Sequence, residues 1–127
     1  MLSAMALRVL LVDDSEQFLQ AAATSLGRNG MEIAGTAANS ETALQQVDSV
    51  RPDVVLVDVG LGEESGFDLV VELVDAFPYL AQRVLLISTR EQDDYGELVD
   101  ASPAAGFILK SELSASAIHE LLSAGGS

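Results

Sequence analysis

The polar chemistry of this sequence gathers in or just after its apolar runs. Asp13 and Asp14 follow LRVLLV, Asp58 interrupts VVLVDVGL, Ser88 closes RVLLIS and Lys110 follows GFIL. Three carboxylates brought together repel one another and raise each other's pKa, a conflict that a divalent cation removes. An all-oxygen site with several waters suits magnesium, with manganese as a substitute. Lys110 is the only lysine in the chain, so its place opposite the acids is not one draw from many. A cation, an ammonium and a hydroxyl around one carboxylate form a receptor for a phosphoryl group.

Taken singly, these residues have plainer readings. An Asp at a strand end often caps a helix or turn, a lone Ser there is usually structural, and a lone Lys is usually solvated. Asp58 resists this because it breaks an apolar run, and the joint placement is what favours function. His119 reads as a surface or interface residue within a helix, and Glu63–Glu64 as a solvated loop.

The elements that must bring these groups together alternate in type. Strands are expected over 7–12, 31–36, 54–59, 83–88 and 106–109. Apolar residues at helical spacing predict helices over 15–28, 40–49 and 67–77 and a last helix over 113–123. Asn39 is the expected cap of the second, and Ser111 or Ser114 of the last. Residues 92–101 promise only a poor helix, with Gly96 inside and Pro103 after it. Strands alternating with helices predict a doubly wound α/β fold, with a parallel sheet covered on both faces. In such sheets ligands bind outside the carboxyl ends of the strands.

At 127 residues the chain is expected to form one domain. Six basic residues against twenty acidic leave a net charge of −14, which argues against gripping nucleic acid or an anionic membrane surface. There is no cysteine and one histidine, which excludes a disulfide framework, a thiol nucleophile and a multi-histidine metal site. No apolar run approaches the ~18 residues of a membrane span. The start, MLSAMAL, lacks a basic leader region and does not read as a signal peptide; Met5 is an alternative start. The expected location is the cytoplasm.

From residue 7 to about 124 the sequence resembles the receiver (response-regulator) domain of two-component signalling. VLLVDDSE, DVGLGEESGFDL, LLIST and GFILKS carry the likeness in order, with Phe107 three residues before the lysine. GFILKSELS is closest to regulators of the nitrate-response helix-turn-helix type. The resemblance implies a flavodoxin-like five-stranded sheet of order 2-1-3-4-5 with five helices, spanning 7–124. Residues 1–6 would be an extension and 125–127 a tail or linker. It implies that Asp58 accepts a phosphoryl group from a histidine kinase, a phosphotransfer protein or acetyl phosphate. It further implies magnesium held by Asp14, Asp58 and the Gly60 carbonyl, with Asp13 acting through a water. Ser88 and Lys110 would bind phosphoryl oxygens and Phe107 would be the switch aromatic. The readout face would lie around the fourth helix, fifth strand and fifth helix. It would serve an output domain or partner, with transcription regulation or homodimerisation as downstream options.

Some positions depart from the family pattern. Gly62 stands where proline is usual, which is expected to loosen that loop, and Thr89 follows Ser88 where a smaller residue is usual and is expected to crowd the site. Ser111 and Pro103–Ala104 are further departures. On this reading the chain is a signalling switch and not an enzyme. The alternative is a protein-interaction module on the same fold that takes no phosphoryl group. A phosphatase would want a second acid two residues after Asp58, where Gly60 stands, and no glycine-rich turn for a dinucleotide follows the first strand.

Overall fold

Residues 9–12, 54–57 and 84–87 are fully buried along their whole length. Strands apolar on both sides need cover on both sides, which is the environment of a parallel sheet between helix layers. The computed structural model, which describes residues 6–125, has that architecture. In chain order the elements are β1 (Arg8–Val12), α1 (Glu16–Arg28), β2 (Glu32–Ala37), α2 (Ser40–Val50), β3 (Val54–Asp58), β4 (Gly60–Leu61), β5 (Glu64–Ser65) and α3 (Gly66–Ala76). There follow β6 (Val84–Ser88), α4 (Leu98–Ala101), β7 (Gly106–Leu109) and α5 (Ala115–Gly125). The parallel sheet runs β2-β1-β3-β6-β7. With the ribbon strands β4 and β5 passed over, this is the expected flavodoxin-like order 2-1-3-4-5.

Two cores flank the sheet. Leu19, Ala22 and Leu26 of α1 and Ile118 of α5 pack with Val9, Leu11, Leu56 and Ile87 on one face. Ala43 and Val47 of α2 and Leu69, Val70 and Leu73 of α3 pack with Leu10, Val12, Val57 and Leu86 on the other. Side-chain caps start the helices: Ser15 Oγ accepts from Phe18 N–H, Asn39 Oδ1 from Thr42 N–H and Ser114 Oγ from Ala117 N–H. Each satisfies a backbone donor that has no partner within its helix.

Two stretches differ from expectation. The loop after β3 folds into the antiparallel ribbon β4–β5. The segment 92–101 splits into a 3₁₀ turn at Gln92–Tyr95 and the single-turn α4, separated at Gly96, whose φ is 59°. A left-handed residue of that kind interrupts any helix passing through it. Met5, most of the expected extension and residues 126–127 lie outside the described residues.

Candidate functional site

Strand register gathers the polar residues. Val12 lies opposite Val57, which sets Asp13 alongside Asp58. Asp58 in turn lies opposite Ile87, and Ser88 opposite Leu109, next to Lys110. The sheet order reverses around β1 and β3, so the crevice outside their carboxyl ends is the site such a fold provides.

Asp13 is fully buried. Its N–H bonds the Ala37 carbonyl at 2.9 Å, and its Oδ1 accepts from Ser15 N–H at 2.8 Å, so the turn that starts α1 also aims the carboxylate. Asp58 is 8% exposed. Behind it the backbone leaves no room: a Cβ on Gly66 would run into the Asp58 carbonyl oxygen, and Gly66 N–H donates to the Val59 carbonyl at 2.7 Å. Asp14 is exposed at the rim. One oxygen from each of Asp13, Asp14 and Asp58 lies within 4.8 Å of the others.

Lys110 answers this charge. Its Nζ lies 2.6 Å from Asp13 Oδ2, 3.5 Å from Asp58 Oδ2 and 4.3 Å from the centre of the Phe18 ring. An ammonium over an aromatic face is attracted by the ring's quadrupole, so Phe18 forms the third side of the lysine's cage. Burial, followed by the Asp13 charge, pushes the Asp58 carboxyl up to about 6, against the opposing pull of Lys110 and the Gly60 N–H. Within the metal-free cluster the proton therefore competes for Asp58 close to neutral pH.

The residues present fit a hard divalent cation. All donors are oxygens, and opposite ligands around magnesium stand about 4 Å apart, given bonds of 2.0–2.1 Å. The three acids are already grouped on that scale. Asp13 Oδ2 has only its ion contact with Lys110 and no aligned hydrogen bond, which leaves it able to accept.

Ser88 is nearly fully buried at the end of β6. Its Oγ accepts from Arg90 N–H at 3.0 Å and shares a short hydrogen bond with the Tyr95 hydroxyl. The Tyr95 ring stands between Phe67 and Phe107, with centroids 5.7 and 6.0 Å away. Phe107 is half-buried and packs on the α2–α3 side of the core. Thr89 is exposed, as is His119.

Several site features were not anticipated. Tyr95 lies in a weak helical pattern, and its one sequence signal is an aromatic alone among the acids of EQDDYGE. Phe18 was read only as an apolar position of α1. Glu64 is not merely solvated, since its Oε1 accepts from Ser40 N–H at 2.9 Å, at the positive end of α2. Gly62 is not a loosened proline position. Its φ is 63°, at the tip of the ribbon, where a proline fixed near −65° could not sit.

Comparison with known proteins agrees with the fold. Residues 9–123 match the response regulator receiver domain family, and the chain belongs to that family. It is 35% identical over 109 residues to a protein-glutamate methylesterase/protein-glutamine glutaminase of Alkalilimnicola ehrlichii, covering 84% of this chain and 27% of that protein. It is 33% identical over 84 residues to the oxygen regulatory protein NreC of Staphylococcus aureus, covering 65% of this chain and 38% of that protein. The signal receiver domain of NarL from Mycobacterium tuberculosis superposes with a TM-score of 0.80 at 24% identity, over 98% of this chain and 99% of that one. The chain thus spans roughly a quarter to two fifths of these curated relatives' lengths.

The first relative corrects one expectation. A switch that is not an enzyme was expected, yet the family segment occurs within a protein named for an esterase and a glutaminase. A receiver fold leaves its helical faces free to join other domains in one chain, so it does not exclude enzymatic activity. No helix among the described residues is long and apolar enough to cross a membrane.

Proposed function

We propose that this chain is a phosphoacceptor switch in which Asp58 takes a phosphoryl group from the phosphohistidine of a histidine kinase or phosphotransfer protein, or from acetyl phosphate. The observation that carries this is the Lys110 ammonium, caged by Asp13, Asp58 and Phe18 at the point where the strand order reverses.

An Asp58 oxygen attacks phosphorus. The bond to the donor nitrogen or oxygen breaks in line, and the leaving group takes the electron pair. Asp58 must be ionised to attack, and Lys110 favours that form. The ammonium, 3.5 Å from Asp58 Oδ2, then turns to a phosphoryl oxygen, where it offsets the added charge. Ser88 offers its O–H to a second oxygen. Asp14, Asp58 and the Gly60 carbonyl would hold magnesium, with Asp13 acting through a water; when bound, the ion supplies further positive charge beside the phosphoryl oxygens. Thr89 and Gly62, at the rim and in the ribbon, modulate access and lifetime.

The product carries about −1.5 to −2 of new charge, for a phosphate of ordinary second pKa. That charge biases the Ser88–Phe107 side of the sheet and, through it, the face built by α4, β7 and α5. A domain or partner reading this face supplies the output, in the cytoplasm where the kinase domain acts. Residues 7–124 are the switching unit.

Beryllofluoride, which mimics a phosphoryl group on a carboxylate, tests the reading. Amide NMR shifts around Asp58, Ser88 and Lys110 are expected only with magnesium present and Asp58 intact. Absence of shifts in the unaltered chain would favour an interaction module that takes no phosphoryl group.

A further inference from the structure

We propose that Tyr95 is a positioning residue for Ser88: its phenol donates to Ser88 Oγ and so dedicates the serine's own proton to the phosphoryl group on Asp58. The proposal rests on the reading of Asp58 as phosphoacceptor and adds a residue which that reading did not contain.

Hydrogen-bond valence carries the inference. A serine hydroxyl has two lone pairs and one proton. One lone pair of Ser88 Oγ is filled by Arg90 N–H at 3.0 Å. The second partner is the Tyr95 hydroxyl. A phenol, with pKa near 10, is a far stronger acid than an alcohol, so Tyr95 is the better donor of the pair. With both lone pairs filled, Ser88 keeps one unused capacity, its proton. At 2% exposure that proton has little access to water. A phosphoryl oxygen on the neighbouring strand is the acceptor that completes it. Successive hydrogen bonds also polarise one another, which strengthens the last donor in the chain.

The phenol is held in place by parts of the site itself. Its ring packs edge-on to Phe67, at the start of the helix that follows the Asp58 loop, and tilted to Phe107, three residues before Lys110. Tyr95 ends a 3₁₀ turn and is followed by Gly96 at φ 59°. Both partners of Ser88 Oγ therefore come from the short segment after β6, and the order of that segment is tied to the serine's hydroxyl.

The test is beryllofluoride affinity with magnesium, read by NMR titration, for the unaltered chain, Tyr95→Phe, Ser88→Ala and the double variant. Tyr95→Phe keeps both ring contacts and removes one hydrogen bond, so it is expected to weaken binding roughly three- to tenfold. In the Ser88→Ala background the same change is expected to do nothing, since the phenol acts only through the serine. Tyr79→Phe, which removes the chain's other phenol beside Pro52, leaves affinity unchanged. Unchanged or tighter binding in Tyr95→Phe would overturn the proposal, and so would an equal loss with and without Ser88. No binding by the unaltered chain would instead overturn the reading of Asp58, and the role of Tyr95 with it. If Tyr95→Phe does not fold, the ring-carbon resonance beside the Tyr95 hydroxyl gives the answer. It is expected to move on beryllofluoride binding in the unaltered chain and to stay still in Ser88→Ala, and a resonance that behaves alike in both would contradict the proposal.

Discussion

Lys110 Nζ is closer to Asp13 than to Asp58, at 2.6 Å against 3.5 Å. The lysine thus rests on the buried carboxylate and only leans on Asp58; under the proposed function this leaves Asp58 Oδ2 available to bond phosphorus. Removing the ammonium would strand Asp13, which is fully buried. Breaking a buried pair from one side costs about 3–5 kcal/mol. Lys110→Met is therefore expected to lower unfolding free energy by about 3 kcal/mol without metal, with partial recovery in magnesium, as measured by urea denaturation.

The Asp58 carboxyl sits at about 6, above its ordinary 3.8, first through burial and then through Asp13. A folded-state pKa above the unfolded one adds stability that is fully present below about 3.8 and is lost as pH rises through about 6. The metal-free chain is expected to lose stability relative to Asp58→Asn between pH 4 and pH 7. Magnesium, which needs the carboxylate, is expected to bind more weakly at pH 5 than at pH 7 and to release protons on binding. Denaturant titrations and calorimetry at the two pH values read both effects.

Glycines 66 and 60 flank the same loop and should respond unequally to a methyl group. A Cβ on Gly66 meets the Asp58 and Val59 backbone, whereas on Gly60 it meets nothing within 4 Å. Backbone cannot give as a flexible side chain can. Gly66→Ala is expected to cost about 2 kcal/mol or more and to impair phosphoryl acceptance by displacing Asp58. Gly60→Ala is expected to change stability by less than about 0.5 kcal/mol. Comparison of their urea midpoints decides.

Gly62 tests whether its ribbon needs a left-handed residue. Gly62→Pro, although it installs the residue usual in the family, is expected to destabilise by more than about 1 kcal/mol, because φ of 63° is closed to proline. Gly62→Asn, which tolerates that region, is expected to cost less. A stabilised proline variant in thermal melts would mean that the ribbon adopts another backbone in solution.

How far the sequence was readable follows from the range of each interaction. Asp58 declared itself by interrupting an apolar run and Asn39 by preceding helical periodicity, which are local signals, whereas for the last helix Ser111 and Ser114 both stayed open until the structure placed the cap at Ser114. The convergence of Asp13 and Asp58 was legible only on the condition that their strands are neighbours; the register that sets them side by side comes from the structure. The pairing of Tyr95 with Ser88 was not legible, because it depends on a short 3₁₀ turn at Gln92–Tyr95 folding back onto β6, where neither periodicity nor capping marks the path. Phe18 shows only as an apolar position of α1, because its contact with Lys110, just after β7, is long-range. The ribbon at Gly60–Ser65 is too short to leave a periodic trace, and the left-handed turn at Gly62 shows only as a glycine.

The central claim is that Asp58 accepts a phosphoryl group, and the most direct measurement is intact mass after incubation with acetyl phosphate and magnesium. The account predicts a gain of about 80 Da, one phosphoryl group replacing a proton, mapped to Asp58 and absent in Asp58→Asn and without metal. No gain, together with no beryllofluoride binding to exclude rapid hydrolysis, would contradict it.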